Sequence, residues 1–181
     1  MKSKIRTNIF LVILATLFSA SGAMASGNNI VVVLAGTGDA YGGDEQFAKL
    51  GLDPLGATCF DMDLVDAKTG NVIGTGSDCL SSIAPSGDGG GLTMTATTFF
   101  YFPGGTLVSR GLVTVQEVLH GSADFTHITG AMPSPGDNSV IYGDGKFKKA
   151  AGPVRLSGSV NMSELNSAGK IVFDCVFILD I

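Results

Sequence analysis

The chain has 181 residues, a net charge of −5, 26 glycines and 6 prolines. That length supports one domain with a proper core. An acidic balance without a basic cluster is a poor match for nucleic acid or an anionic membrane surface. Apolar runs between the scattered glycines argue against disorder.

In chain order, residues 1–25 read as an export signal. Lys2, Lys4 and Arg6 make a basic start, an apolar run follows at 9–17, and Ala23-Met24-Ala25 is a small-x-small cleavage site before Ser26. The run falls short of the roughly 20 apolar residues a bilayer span needs. The sequence therefore predicts an exported protein, periplasmic or extracellular, with no membrane span after cleavage. The signal takes three basic residues and no acidic one, so the remaining chain is more acidic still.

A β-branched run at 29–34 predicts the first strand. Gly36-Thr37-Gly38 follows and echoes a dinucleotide-binding turn. Gly51 and Pro54 leave no room for the helix that such a turn requires, so the stretch reads as a mobile loop. Residues 44–49 give the one hint of a helix. Stretches 58–66 and 71–78 flank Ala67-Lys68-Thr69-Gly70, a hairpin turn with glycine where φ is positive. Residues 92–102 alternate and are rich in threonine and aromatics, and Pro103-Gly104-Gly105 ends them. Further strands are predicted at 106–119, 123–129, 138–142, 154–162 and 170–180. Eight or nine strands joined by brief turns predict an all-β antiparallel barrel or sandwich.

Few residues carry chemistry. There is no CxxC pair and no His/Cys cluster at zinc spacing. Gly145-Lys146 is followed by Phe147 rather than Ser or Thr, and Gly152-Pro153 breaks any helix, so no phosphate loop forms. Neither metal nor nucleotide cofactor is expected. Cys59, Asp61, Asp63 and Val65 share one strand face, and Phe60, Met62 and Leu64 share the other. Turned inward, Asp61 and Asp63 would make an acid/base pair; turned outward, they face water. His127 lies mid-strand as a proton-shuttle candidate or a hydrogen-bonded structural histidine. Tyr101 and Tyr142 are cavity or packing candidates.

Gly143-x-Gly145-x-Phe147-x-x-Ala150-x-Gly152 resembles the signature shared by plant allene oxide cyclases and dirigent proteins. "TATTFFYFPGGTLVSRG" and "DLVDAKTGNVIGTGSDCL" look like further strand pairs of that family, and the resemblance covers roughly 56–181. It implies an eight-stranded antiparallel β-barrel, commonly trimeric, with an apolar cavity in which a small molecule is cyclised or a coupling is steered. The resulting plan is 1–25 signal, 26–56 first strand and loop, and 57–181 barrel. Cys79 falls near the cyclases' pocket cysteine, which makes it a ligand-binding candidate. Their early glutamate has no counterpart in "NNIVVVLAG", and their tyrosine falls at Val113. The expected function is an exported small-molecule barrel: an isomerase, cyclase or steering protein for an apolar ligand, needing no cofactor. The alternatives are a non-catalytic carrier and a structural surface protein. Val172, Val176 and Ile178 leave an apolar outer stripe on the last strand, which a subunit contact of the implied homotrimer would bury.

The cysteines number three, so at least one is left over. A three-residue loop at Lys68-Thr69-Gly70, closed by Ala67 and Asn71, would set Cys59 directly across from Cys79, close enough for a disulfide. A four-residue loop would spoil that register. The rival reading keeps Cys79 free in the cavity. With the Cys59–Cys79 bridge formed, Cys175 is the unpaired thiol, buried with Phe173 and Phe177.

Overall fold

The computed structural model describes residues 29–86, 91–117, 126–130 and 138–181. The predicted export signal lies outside them. In chain order the elements are β1 (Asn29–Asp39), β2 (Tyr41–Gly42), α1 (Asp44–Lys49), β3 (Thr58–Asp66), β4 (Val72–Pro85), β5 (Leu92–Phe102), β6 (Gly105–Glu117), β7 (Thr126–Gly130), β8 (Asn138–Gly143), β9 (Val154–Asn161), α2 (Leu165–Ala168) and β10 (Lys170–Asp180).

All strand pairs are antiparallel. Neighbours follow the order β1-β10-β9-β7-β6-β5-β4-β3, and β3 pairs back onto β1 through Val32–Ala35 against Asp66–Asp63. The sheet thus closes on itself through a four-residue seam. Against β6, β7 pairs at Thr114–Glu117 and β8 at Leu107–Gly111, so these two short strands share one place in the wall. That makes eight strand positions, and the all-β, eight-stranded antiparallel barrel expected from the sequence is what the chain forms.

Strand alternation builds the core. Val32 and Leu34, Phe60, Met62 and Leu64, Phe100, Leu107, Val113, Leu156, and Phe173, Phe177 and Leu179 are buried on the inward face. Each large apolar side chain removed from water contributes about 1.5–3 kcal/mol. One end is sealed by Phe147, buried against Phe102 with ring centroids 5.1 Å apart. A tight turn places it there. Gly145 has φ +52°, and a Cβ at this position would stand 2.2 Å from the Gly104 carbonyl oxygen.

Two expectations are corrected. Gly36-Thr37-Gly38 is not a loop: β1 runs through it, paired with β10 from Gly36↔Phe173 to Gly38↔Ile171. Glycine is required because Gly36 has φ +129° and a Cβ on Gly38 would lie 2.8 Å from that of Phe60. The hairpin closure is also shifted. Asp66 N–H donates to the Asn71 carbonyl, leaving four residues in the turn. The Asp66 carboxylate accepts from Lys68 N, Thr69 N and Thr69 Oγ1, and the Thr69 contacts in particular hold its pKa below the ordinary value.

A second, smaller core lies outside the barrel. The segment from β2 to Ala57 folds over β3, β4, β5 and β6. There Phe47 is buried against Phe99 edge-to-face at 5.1 Å, with Cys59, Cys79 and Val108 around it. Arg110 caps this layer, its guanidinium 5.6 Å from the Phe47 ring centroid. It donates to the Thr97 hydroxyl and the Asp53 carbonyl. Gly76–Leu80 and Ala96–Phe100 are therefore buried on both faces.

Candidate functional site

Between the two apolar ends, one side of the barrel interior is small and polar. Inward positions there are Gly76 and Asp78 on β4, Ala96 and Thr98 on β5, and Ser109 and Gly111 on β6. Asn138 on β8 is paired with Gly111. Asp78, Thr98, Ser109 and Asn138 are all buried, and Asp78 is 0% exposed. Thr98 Oγ1 donates to Asp78 Oδ1 at 2.7 Å. Oδ2 has no hydrogen-bond partner among the described residues. Burial pushes the carboxyl up to about 6, and the Thr98 hydrogen bond pulls the other way. A carboxyl poised there accepts or gives a proton near neutral pH.

Cys175, on β10, faces the same interior. Its thiol donates to the Ser159 carbonyl at 3.6 Å. Burial, reinforced by the charge of Asp78, pushes it up to about 12, so it stays protonated and unreactive.

The candidates singled out by the sequence lie elsewhere. Asp61 and Asp63 are exposed on the outer face of β3, so the inward acid/base pair does not form. The reason is phase: Phe60, Met62 and Leu64 claim the interior. Asp61 instead joins an outer network. Ser77 Oγ donates to Asp61 Oδ1 at 2.5 Å, and Tyr41 Oη donates to the same oxygen at 2.6 Å. Gln46 Oε1 lies 2.7 Å from Tyr41 Oη. Burial raises the pKa of Tyr41 and Tyr101, with the Asp61 charge adding to each. A shallow cleft of ≈ 260 Å³ runs beside Tyr41, Gln46 and Asp61, and one of ≈ 240 Å³ runs beside Gln46, Leu50 and Tyr101. Asp61 and Tyr101 are thus brought near one another, outside the barrel. Tyr142 packs against the outer core rather than the interior. His127 sits opposite Gln116 and Ser159 in register.

Cys59 and Cys79 form a disulfide, so Cys79 is not a free thiol in the cavity. The bridge lies under α1. The expected pairing is correct although its premise is not. The four-residue turn shifts the register by one, and a bulge that leaves Ile73 unpaired between Leu64↔Gly74 and Val65↔Val72 shifts it back.

Asp78 is the residue that sequence reasoning passes over. The register that sets Cys59 opposite Cys79 also sets Asp78 opposite the inward Phe60. That was the signal available. Among the described residues no three His, Cys, Asp or Glu side chains gather as a metal site would need, and no helix there is long and apolar enough to cross a membrane. Compared with family models, curated proteins and solved structures, the chain finds no match.

Proposed function

We propose that this chain is an exported small-molecule barrel, of the allene oxide cyclase and dirigent type, that takes a mostly apolar ligand against Asp78. The observation that carries the reading is the unpartnered Asp78 oxygen in an apolar interior. A buried carboxylate costs free energy unless it is paired, and an all-apolar barrel would be the more stable scaffold. Its neighbours along the inner wall, Gly76, Ala96, Ser109 and Gly111, are small, and the Leu34 side chain lies over Gly76. The chemistry such a site supplies is orientation of a reactive molecule, with one proton acceptor near neutrality, as an isomerisation or cyclisation requires. A carrier of the same ligand differs only in lacking turnover.

Export is supported by the basic, apolar and small-residue order of residues 1–25, and by a disulfide, which persists in oxidising compartments. Self-association into a homotrimer is part of the same proposal. The test is to incubate the oxidised mature protein with an extract of its own cells and identify what it retains by native mass spectrometry. We expect an apolar small molecule that Asp78→Asn no longer holds. A protein that retains nothing, and whose Asp78→Asn variant is merely more stable, is a filled structural barrel.

A further inference from the structure

Among the described residues, the interior holds an anion with no cation to answer it. Around Asp78, β3 sets Phe60 opposite it, β5 brings Thr98, β6 brings Ser109 next to Thr98, and β10 brings Cys175. None of these is positively charged. Cys175 is the titratable group that feels Asp78, and it is neutral below about 12. The ion pairs recorded among the described residues are Lys49–Glu45, Arg155–Asp180 and Lys170–Asp39, all at the surface. Arg110 is engaged on the outer face with Thr97 and Asp53.

We infer that the ligand is an apolar amine, whose protonated nitrogen donates to Asp78 Oδ2 while its carbon body lies among the interior phenylalanines and leucines. The inference rests on the barrel-ligand reading above and narrows it. An ammonium group brings both things that Oδ2 lacks, a donor and a compensating charge, and charge-assisted hydrogen bonds are the strong ones. An alcohol of the same shape brings the donor alone. A carboxylate brings a like charge, which a dry interior rejects. Thr98 fixes the carboxylate plane by holding Oδ1, so the free oxygen has a set direction.

The experiment is isothermal titration calorimetry of the oxidised mature protein with octylamine, 1-octanol and octanoate, chain-matched probes that differ in the head group. At pH 8 octylamine is expected to bind roughly ten- to hundredfold more tightly than octanol, the ratio a hydrogen bond to a charged group gives, and octanoate not at all. Asp78→Asn, whose folding is checked by thermal melting, should lose this preference. The wild-type protein supplies a second readout: octylamine binding should weaken as pH falls through about 6, where Asp78 takes up a proton. Equal binding of octanol and octylamine, binding of octanoate, or an unaltered preference in Asp78→Asn overturns the amine while leaving the ligand barrel standing. Binding of none of the three, by a protein that does retain a molecule from the extract, also overturns the amine. Binding of nothing in either experiment overturns both.

Discussion

A carboxyl that titrates near 6 in the folded barrel, against 3.8 ordinarily, couples folding to pH with a definite sign. The native state holds the Asp78 proton more tightly than the unfolded chain does. The stability associated with this group is therefore fully present below pH 3.8, falls as pH rises between 3.8 and about 6, and is lost above that. A carboxyl raised that far is worth about 3 kcal/mol. Asp78→Asn keeps the shape and removes the charge, so it should raise the melting temperature at pH 7–8 and change it little at pH 4. Melting curves of the two proteins across that range check this; a variant that is less stable at pH 8 would mean the charge is compensated inside. The sequence displays this residue only indirectly. Asp61 and Asp63 draw notice because two carboxylates at alternate positions look like a pair, whereas a single aspartate between Ser77 and Cys79 looks like a strand end. Its depth depends on the closure of the barrel around the inner face of β4, a tertiary effect that alternation along one strand does not report.

Among the elements, the hairpin of β3 and β4 carries the disulfide, and the covering segment hides it. Both cysteines are 0% exposed. Gly43 passes so close that a Cβ there would stand 2.5 Å from Cys59 Sγ and 3.0 Å from the Phe47 ring. The bridge spans a sequence separation of 20, for which the chain-entropy model gives roughly 3 kcal/mol. The double variant Cys59→Ala, Cys79→Ala should lose about that much stability in urea denaturation. Under denaturing, non-reducing conditions the parent should show one reactive thiol, that of Cys175. Three thiols would refute the bridge. The strands themselves are largely legible, because residues such as Phe60/Met62/Leu64 and Phe173/Cys175/Phe177 alternate without interruption. The turns are less so. The closure at Asp66 and the bulge at Ile73 depend on hydrogen bonds of the Asp66 carboxylate and on the fit of β4 against β5. Gly36 and Gly38, which look like a loop, are strand residues: Gly36 takes a positive φ, and the wall passes too close to Gly38 for a side chain.

For the whole molecule, an outer stretch of wall on β1, β10 and the far end of β3 remains apolar. Val31 pairs with Ile178, Val33 with Val176, and Val33 also with Val65, all turned outward, and Val176 is 37% exposed. A β-branched patch across three strands is the surface a second copy would cover. Sedimentation equilibrium at micromolar concentration is expected to show a homotrimer, and Val176→Lys is expected to shift it to monomer. A parent protein that sediments as a monomer would remove this face from consideration.

The closure of the barrel also has a bearing on how the chain acquires its fold. β1 pairs with β10 over the whole run Asn29↔Asp180 to Asp39↔Lys170, but with β3 over only Val32–Ala35. The first strand thus depends mainly on the last. While the chain is emerging, from a ribosome or through a narrow channel, the earlier strands can line up as a meander with its two margins still open. The ring is completed only when β10 arrives between β9 and β1. Contacts at such long sequence separation make for slow folding, and until that moment β1 presents an unpaired edge to other copies of itself. A chain truncated before Lys170 should therefore accumulate as aggregates rather than as a smaller barrel.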